Sequence, residues 1–273
     1  MTSIAAEPDE TLESGYLATT PSGDNFLLDY SRAEASAFSE LARTGGGRVT
    51  HDQTLGLHLT DLGLATPFGN VALLCRPVRD AEIGDLARAL RTFYGDRAGG
   101  PYLLFSPWPI ADLSGLGLKT VGHPPLMFRP AGGSRPDVDG FRIVEVNDAD
   151  TLADFEQTLI EAYPVNEMQP WRRGSFLDPS VLDTAWHLLV GYDDNRAVAT
   201  AAAFVSDGLT VVELVSTRAE CRGRGYGAAL TAAAALTVPA QPSGLISSDH
   251  GRRVYEQLGY LPIHRHTLWL GTR

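Results

Sequence analysis

The stretch VVELVSTRAECRGRGYGAALT, residues 211–231, decides how the rest of the chain can be arranged. It begins with β-forming residues, continues with three alternate glycines and ends in an alanine-rich segment that favours a helix. A loop of this kind between a strand and a helix start points backbone N–H groups at an anion, and glycine leaves room for the anion to approach. The stretch therefore predicts a diphosphate-binding loop, formed by Arg222, Gly223, Arg224, Gly225, Tyr226, Gly227 and Ala228.

Three classes of nucleotide-binding loop share this arrangement, and the spacing of the glycines separates them. A P-loop needs Lys-Ser or Lys-Thr after its last glycine, whereas an Ala-Ala pair follows here. A dinucleotide fingerprint fits Gly223, Gly225 and Ala228, but only 46 residues follow the last glycine, too few for the rest of a doubly wound sheet. The third pattern, Arg-x-x-Gly-x-Gly, is met at residues 222–227. A glycine-rich turn without a ligand is the remaining interpretation.

Two motifs in the second half of the chain resemble those of the GNAT superfamily of acyl-CoA N-acyltransferases. The Arg-x-x-Gly-x-Gly at residues 222–227 is similar to that family's pyrophosphate loop, and the Tyr-x-x-x-Gly-Tyr at 255–260 is similar to its Tyr-x-x-x-Gly-Phe. The elements after the loop, a strand, a short helix and a strand, follow the same order as in the GNAT fold. The resemblance covers about residues 141–273 and implies acetyl-CoA as the co-substrate.

The composition excludes several classes of protein. The chain has 273 residues, of which 44% are hydrophobic, enough for two modest domains with proper cores. A net charge of −11 argues against a general nucleic-acid surface. The two cysteines, Cys75 and Cys221, give neither a disulfide framework nor a zinc-ligand spacing, so no metal is expected. No window is apolar enough to span a membrane and no signal peptide is present, so we expect a cytoplasmic protein.

Composition along the chain predicts two lobes. Residues 1–25 are acidic and rich in Ser, Thr and Gly, which predicts a loose arm, and residues 131–140 are dense in Pro, Gly and Asp, which predicts a linker. The lobes are then 26–130 and 141–273. Hydrophobic periodicity predicts helices over 31–42, 80–94, 151–163, 228–235 and 251–258, and strands over 54–59, 62–65, 71–75, 102–106, 141–146, 186–192, 197–205, 211–215, 245–248 and 267–270.

The two lobes match each other when the sequence is shifted by 142 residues, which places 71–75 on 213–217 and 103–128 on 245–270. The first lobe has carboxylates at the positions of the diphosphate loop, and these cap a helix start but repel a diphosphate: Asp80, Glu82 and Asp85. The resemblance and the repeat imply an α/β fold of two GNAT-like lobes, each a mixed, mostly antiparallel sheet flanked by helices. We expect the first lobe to be degenerate, without a cofactor loop, and either to shape the substrate site or to act as scaffold.

The GNAT resemblance also implies roles for residues around the loop. The backbone of Val215, Ser216 and Thr217 would hold the pantetheine arm and polarise the thioester carbonyl, although ordinary sheet pairing satisfies the same residues. Tyr255 would be the general acid for the leaving thiolate, and packing on its own helix is the alternative. Ser248 would contact the pantetheine arm or cap the helix that follows it.

The general base is less well defined by the sequence. Glu213 lies on the same strand, two residues before the position where some GNAT relatives carry a catalytic glutamate, and therefore on the same face; an exposed strand residue is the alternative. His187, Glu167 and Asp249 are rivals, and a base that acts through water is a further alternative. The segment WRRGSF, residues 171–176, lies where the resemblance places the substrate-side wall, and its Trp and Arg suit an aromatic or carboxylate-bearing acceptor. An irregular surface loop is the alternative interpretation.

These observations predict an N-acetyltransferase that moves an acetyl (acyl) group from acetyl-CoA directly to an amine of a small molecule or peptide. Acetylation of a cysteinyl amine, as in a mycothiol synthase, is an alternative within the same architecture. From other classes, a non-catalytic acyl-CoA sensor or partner-binding module fits the loop, and a nicotinamide oxidoreductase fits only the short glycine match. We expect no nucleic-acid or membrane partner, and the sequence is compatible with a monomer or a homodimer.

Overall fold

The computed structural model describes residues 26–95, 99–163 and 165–273, so the predicted arm of residues 1–25 lies outside the described part of the chain. The helices within these ranges are α1 (Phe26–Thr44), α2 (Ile83–Tyr94), α3 (Ala149–Ala162), α4 (Tyr226–Ala235) and α5 (Arg252–Gln257). The strands are β1 (Arg48–Asp52), β2 (Leu57–Asp61), β3 (Asn70–Leu74), β4 (Tyr102–Ser106), β5 (Lys119–Gly122), β6 (Pro125–Arg129), β7 (Phe141–Glu145), β8 (Trp186–Asp193), β9 (Arg196–Ser206), β10 (Leu209–Thr217), β11 (Ser243–Ile246), β12 (Leu261–Arg265) and β13 (Thr267–Gly271).

The strands form two sheets. The first has six strands in the order β1-β2-β3-β4-β13-β5, and the second has seven in the order β7-β8-β9-β10-β11-β6-β12. Each sheet contains one parallel pair, β3 with β4 and β10 with β11, while the other neighbours run antiparallel. The α/β fold of two mixed, mostly antiparallel sheets flanked by helices is therefore confirmed.

Each half of the chain contributes one strand to the sheet of the other half. Strand β6 lies between β11 and β12 in the second sheet, and β13 lies between β4 and β5 in the first. The two strands occupy equivalent places, since Pro125–Arg129 and Thr267–Gly271 are related by the shift of 142 residues seen in the sequence. The ranges 26–130 and 141–273 did not anticipate this exchange, and the division into lobes at the 131–140 linker stays a prediction.

Helix α1 belongs to both cores, because apolar residues lie on more than one of its faces. Tyr30, Ala37 and Leu41 pack with residues of the second sheet, whereas Ala35 and Phe38 pack with β3 and β4 of the first. The indole N–H of a β8 tryptophan also donates to a carbonyl of this helix. The N-terminal helix therefore joins the two sheets. No helix in the described part of the chain is long and apolar enough to cross a membrane.

Candidate active site

Strands β10 and β11 separate halfway along their length. Their parallel pairing has only two residue pairs, Thr210 with Ser243 and Val211 with Gly244, although β10 continues to Thr217. Beyond Val211 the β11 side of β10 therefore has no strand paired to it in the described part of the chain. An unpaired strand edge of this kind presents backbone N–H and C=O groups to whatever occupies the gap.

A β-bulge changes the direction of the β10 side chains at the gap. The pairing of β10 with β9 is irregular between Glu213 and Ser216, and Leu214 has a φ of 52°. A left-handed conformation is unusual for a leucine and costs on the order of 1–3 kcal/mol. Neighbouring side chains of a regular strand point to opposite faces, whereas Val212, Glu213, Leu214 and Val215 all border one cavity here. The bulge is what brings these four consecutive residues to the same site.

The cavity has a volume of about 380 Å³ and lies between the two lobes. Its apolar walls come from both halves of the chain. The first half contributes Phe38, Phe68, Val71, Leu103 and Phe105, and the second contributes Leu159, Ile160, Phe176, Leu245 and Ile246. Among its lining residues are two carboxylates, Glu34 and Glu213, and two phenols, Tyr163 and Tyr255. The predicted acid and the predicted base thus lie in one cavity.

The environment of Glu213 suits a general base near neutral pH. Burial raises the pKa of Glu213 to about 7, although the backbone N–H of Leu214 and the nearby Tyr30 hydroxyl each lower it. A base is most effective when its pKa lies near the working pH. The structure therefore gives Glu213 a proton affinity that an exposed glutamate lacks.

Tyr255 is placed to stay protonated. Burial, and then its neighbours Tyr163, Tyr260 and Glu213, raise the pKa of Tyr255 well above its ordinary value of 10.0. Its hydroxyl has no hydrogen-bond partner among the described residues. A phenol in this state can donate its proton to a group that enters the cavity.

Sequence reasoning missed the groups that α1 and the end of α3 contribute. Glu34 of α1 is only 1% exposed, and burial together with the charge of Glu213 raises its pKa well above the ordinary value. Tyr30 and Tyr163 are also electrostatic neighbours of Glu213. The signal for Glu34 was a charged residue on the apolar side of a predicted helix, which could be recognised only once both sheets were known to pack on α1.

The predicted diphosphate loop has the backbone geometry of an anion site. Gly223 and Gly225 have φ values of 79° and 86°, and Gly225 precedes α4 without a side-chain cap. The backbone N–H groups of residues 223–228 have no acceptor within the described chain, and the next one, of Ala229, donates to Gly225 at 3.0 Å. A run of unpaired N–H groups at a helix N-terminus attracts a phosphate.

Side chains of the loop mostly hold the loop itself. Arg222 donates to the carbonyl oxygens of Thr217 at 3.1 Å and Ala162 at 3.4 Å, which ties the loop to β10 and α3. Arg224 pairs with Asp193 at 3.2 Å. The ring of Tyr226 is buried, so only its backbone is available to a ligand. The two arginines therefore support the loop, and the backbone supplies its donors.

Other predicted contacts surround the gap. The Ser216 hydroxyl pairs with the hydroxyl of Thr200 at 2.8 Å inside the sheet. Ser248 lines the cavity, and its hydroxyl also accepts a hydrogen bond from the backbone N–H of Gly251 at 3.1 Å, just before α5. A Cβ at Gly227 would lie 3.1 Å from the Thr217 hydroxyl oxygen, so a side chain there would require Thr217 to shift.

The first lobe has no gap between its strands at the position equivalent to the gap between β10 and β11. Strands β3 and β4 stay paired through Leu73, one residue before β3 ends, so no gap forms. Before α2, the Glu82 carboxylate accepts hydrogen bonds from the Arg79 backbone at 3.0 Å and from the side chains of Arg76 and Arg79. Those arginines hold the pKa of Glu82 well below its ordinary value. The Glu82 carboxylate is thus held by two arginines and a backbone N–H at the turn before α2.

The rival bases lie outside the cavity. His187 pairs with Glu145 at 2.7 Å, Asp249 pairs with Arg265 at 2.8 Å, and Glu167 is exposed. Of the four candidates, only Glu213 borders the cavity. In the part of the chain that the structure describes, no group of three or more His, Cys, Asp or Glu side chains is arranged to hold a metal ion.

The loop of residues 171–177 forms one wall of the cavity through Phe176, and a buried carboxylate holds it in place. Glu156 of α3 accepts hydrogen bonds from the Trp171 indole at 3.0 Å and from the backbone N–H groups of Gly174 at 2.7 Å, Phe176 at 2.5 Å and Leu177 at 3.2 Å. The two arginines of this loop point elsewhere, since both are exposed and neither borders the cavity. The predicted arginine contact with a carboxylate-bearing acceptor is therefore absent from the described cavity.

Comparisons with known proteins agree with this geometry. Residues 152–260 match the model of the acetyltransferase (GNAT) family. A GCN5-related N-acetyltransferase from Kribbella flavida is similar with a TM-score of 0.67 and 21% identity, over 90% of this chain and 95% of that one.

Two further structures show the same fold at lower similarity. A GCN5-related N-acetyltransferase from Sphaerobacter thermophilus has a TM-score of 0.50 and 16% identity, over 90% of this chain and 93% of its own. A tandem GNAT protein from the clavulanic acid biosynthesis pathway has a TM-score of 0.50 and 14% identity, over 79% and 78% of the two chains. At these identities the structures show the fold alone. A search of curated protein sequences finds no match.

Proposed function

We propose that the protein transfers an acyl group, acetyl in the simplest case, from acyl-CoA directly to an amine, in keeping with the match of residues 152–260 to the model of the acetyltransferase (GNAT) family. The observation that carries this proposal is the meeting of Glu213 and Tyr255 in one cavity, at the gap between β10 and β11. A base with a pKa of about 7 and a protonated phenol are the two groups that direct acyl transfer needs.

In this proposal, acyl-CoA binds along the second lobe. Its diphosphate fits the unpaired N–H groups of residues 223–228, where the helix start also favours negative charge. Its pantetheine arm fits the free edge of β10 beyond Val211, which can pair with the amide groups of the arm as a strand would. The thioester then lies where the bulge turns residues 212–215 into the cavity.

In the proposed reaction, Glu213 takes a proton from the substrate ammonium, and the free amine attacks the thioester carbon. The new C–N bond forms as the C–S bond breaks, and the Tyr255 hydroxyl gives its proton to the departing sulfur. As the amide forms, the attacking nitrogen loses its second proton, which restores the Tyr255 phenol by way of water, and Glu213 releases the first proton to solvent. Both steps agree with the environments of the two groups, since Glu213 titrates near neutral pH and Tyr255 remains a donor.

Substitution of Tyr255 by Phe tests the proposal. This change removes one hydroxyl without a protein partner in the described chain, so stability and acyl-CoA affinity should stay unchanged. The kcat, followed through release of the CoA thiol, should fall by about 10²–10⁴-fold. Tyr260→Phe is the matched control, because the Tyr260 hydroxyl pairs with Ser243 at 2.9 Å and does not line the cavity. An unchanged kcat in Tyr255→Phe would show that Tyr255 takes no part in the mechanism. If the natural protein bound acyl-CoA without turnover, that result would favour a sensor.

A further inference from the structure

The walls of the cavity define the chemistry of the acceptor beyond its amine. Helix α1 and strands β3 and β4 of the first lobe contribute only one polar side chain, Glu34, to the lining. Phe68 of the first lobe and Tyr163 of the second meet edge to face, with their ring centroids 4.9 Å apart, so the wall is continuous across the two lobes. The room between these walls suits an apolar body.

The charged side chains in the described lining of the cavity are all acidic. Its described lining contains two carboxylates and no Lys, Arg or His. The Oε2 atom of Glu34 is buried and has no hydrogen-bond partner among the described residues. A buried carboxylate oxygen without a partner is costly, and a donor from a bound molecule would satisfy it.

We propose that the acceptor is a small primary amine with an apolar body and no anionic group, bound with its nitrogen between Glu34 and Glu213. This inference rests on the proposed acyl transfer and narrows its substrate class. Glu34 is then a positioning residue, which holds the ammonium group beside the base.

Charge and size both favour this class of acceptor. Two neighbouring buried carboxylates do not both ionise readily, and an ammonium between them permits it. A carboxylate or phosphate on the acceptor would meet two acids and no cation in the described lining. The volume of about 380 Å³ lies near the lower end for ligand pockets, and the thioester takes part of it. A peptide or an amino acid therefore fits less well than a compact apolar amine.

A series of primary amines tests the apolar wall. Initial rates are measured at saturating acetyl-CoA with ethylamine, butylamine, hexylamine and 2-phenylethylamine, beside ethanolamine, glycine and a lysine-containing peptide. Each methylene that becomes buried should raise kcat/KM about fourfold. A flat or falling series, or a preference for glycine or the peptide, overturns the inference while leaving acyl transfer intact.

Two variants locate the effect in the cavity. Phe68→Asn should flatten the methylene series, because it puts an amide in the apolar wall. Phe128→Asn is the matched control, since Phe128 is also partly buried with an edge-to-face ring neighbour but does not line the cavity. Glu34→Gln should raise the KM for hexylamine at least about 10-fold, with a smaller effect on kcat, as expected when an interaction with a charged group is lost. An unchanged KM in a folded Glu34→Gln protein, or equal effects of the two Phe variants, would overturn the assignment.

Binding measured without turnover separates the two proposals. Calorimetric titration of 2-phenylethylamine into the full-length protein saturated with CoA should show binding that Phe68→Asn weakens. Binding of this amine without any transfer from acetyl-CoA would contradict the proposed function but support the pocket. Transfer to other amines without binding of 2-phenylethylamine would contradict the pocket and leave the function standing.

Discussion

Replacing Glu213 by Gln should reduce activity and increase stability, and the increase should depend on pH. The substitution removes the only candidate base that borders the cavity, so kcat/KM should fall by about 10²–10⁴-fold. It also removes a charge from a site that disfavours it. A residue retained only for folding would show the opposite effect on stability.

The expected gain in stability follows from the pKa of Glu213. Folding raises this pKa from an ordinary value of 4.5 to about 7. At about 1.4 kcal/mol for each pH unit, an ionised Glu213 lowers the free energy of unfolding by about 3 kcal/mol. Glu213 is only partly buried, so solvent screens its charge and we expect about 1–3 kcal/mol. The folded state binds the proton more tightly, so this loss begins as the pH rises through 4.5 and is complete above about 7. Glutamine carries no charge at any pH and avoids the loss.

Denaturant unfolding of both proteins at pH 5 and pH 8 measures the effect. Glu213→Gln should exceed the natural protein in stability by about 1–3 kcal/mol at pH 8, and by less than about 1 kcal/mol at pH 5. Glu167→Gln is the control, because Glu167 is an exposed carboxylate outside the cavity and should change neither stability nor rate. Equal stability differences at the two pH values would refute the raised pKa, and a full rate in Glu213→Gln would refute its role as base.

Three further predictions concern the loop, the cavity wall and the exchanged strands. Gly225→Asp should weaken acetyl-CoA binding at least about 10-fold more than Gly225→Asn in calorimetry, because both strain the φ of 86° but only Asp repels a diphosphate; equal affinities would contradict the anion site. Glu156→Gln should lower the free energy of unfolding by about 1.5–3 kcal/mol and raise the KM for the amine, since one acceptor of the N–H groups of the 171–177 loop becomes a donor; an unchanged melting temperature would argue against this account. A fragment of residues 138–273 should be insoluble, because it lacks β6 and leaves β13 unpaired, and a soluble, active fragment would show that the first lobe is dispensable.

The sequence was sufficient where local patterns carried the information. The glycine loop, the β-run before it and the alanine-rich helix were predicted, and the structure contains them as β10, the 222–225 loop and α4. Strand β4 was predicted with its observed bounds, 102–106. These segments have clear periodicity or sharp boundaries, and neither depends on distant neighbours.

The sequence was insufficient where contacts between residues far apart in the chain determine the structure. Strands β5 and β12 were not predicted, because both lie at sheet edges and show weak burial patterns. The exchange of β6 and β13 leaves no local signal either, since each strand has the same apolar character in either sheet. The bulge at Leu214 was also missed, because regular strand alternation was assumed for Glu213 and its neighbours. The carboxylate of Glu34 was also missed, because it lies in the site only as a result of packing between the lobes.

The two lobes differ in features that affect stability, and the destabilising ones lie at the site. In the first lobe β3 and β4 remain paired, and the Glu82 carboxylate before α2 is paired with Arg76 and Arg79. In the second lobe the β10 edge is open, Leu214 is strained and the pKa of Glu213 is raised, and the buried Glu34 of the first lobe borders the same cavity. Each of these features lowers stability. Functional sites commonly contain such destabilising features, which persist where the surrounding structure holds them in place. Here α1 and the exchanged strands connect the sheets, so the first lobe can stabilise the second without a substrate site of its own.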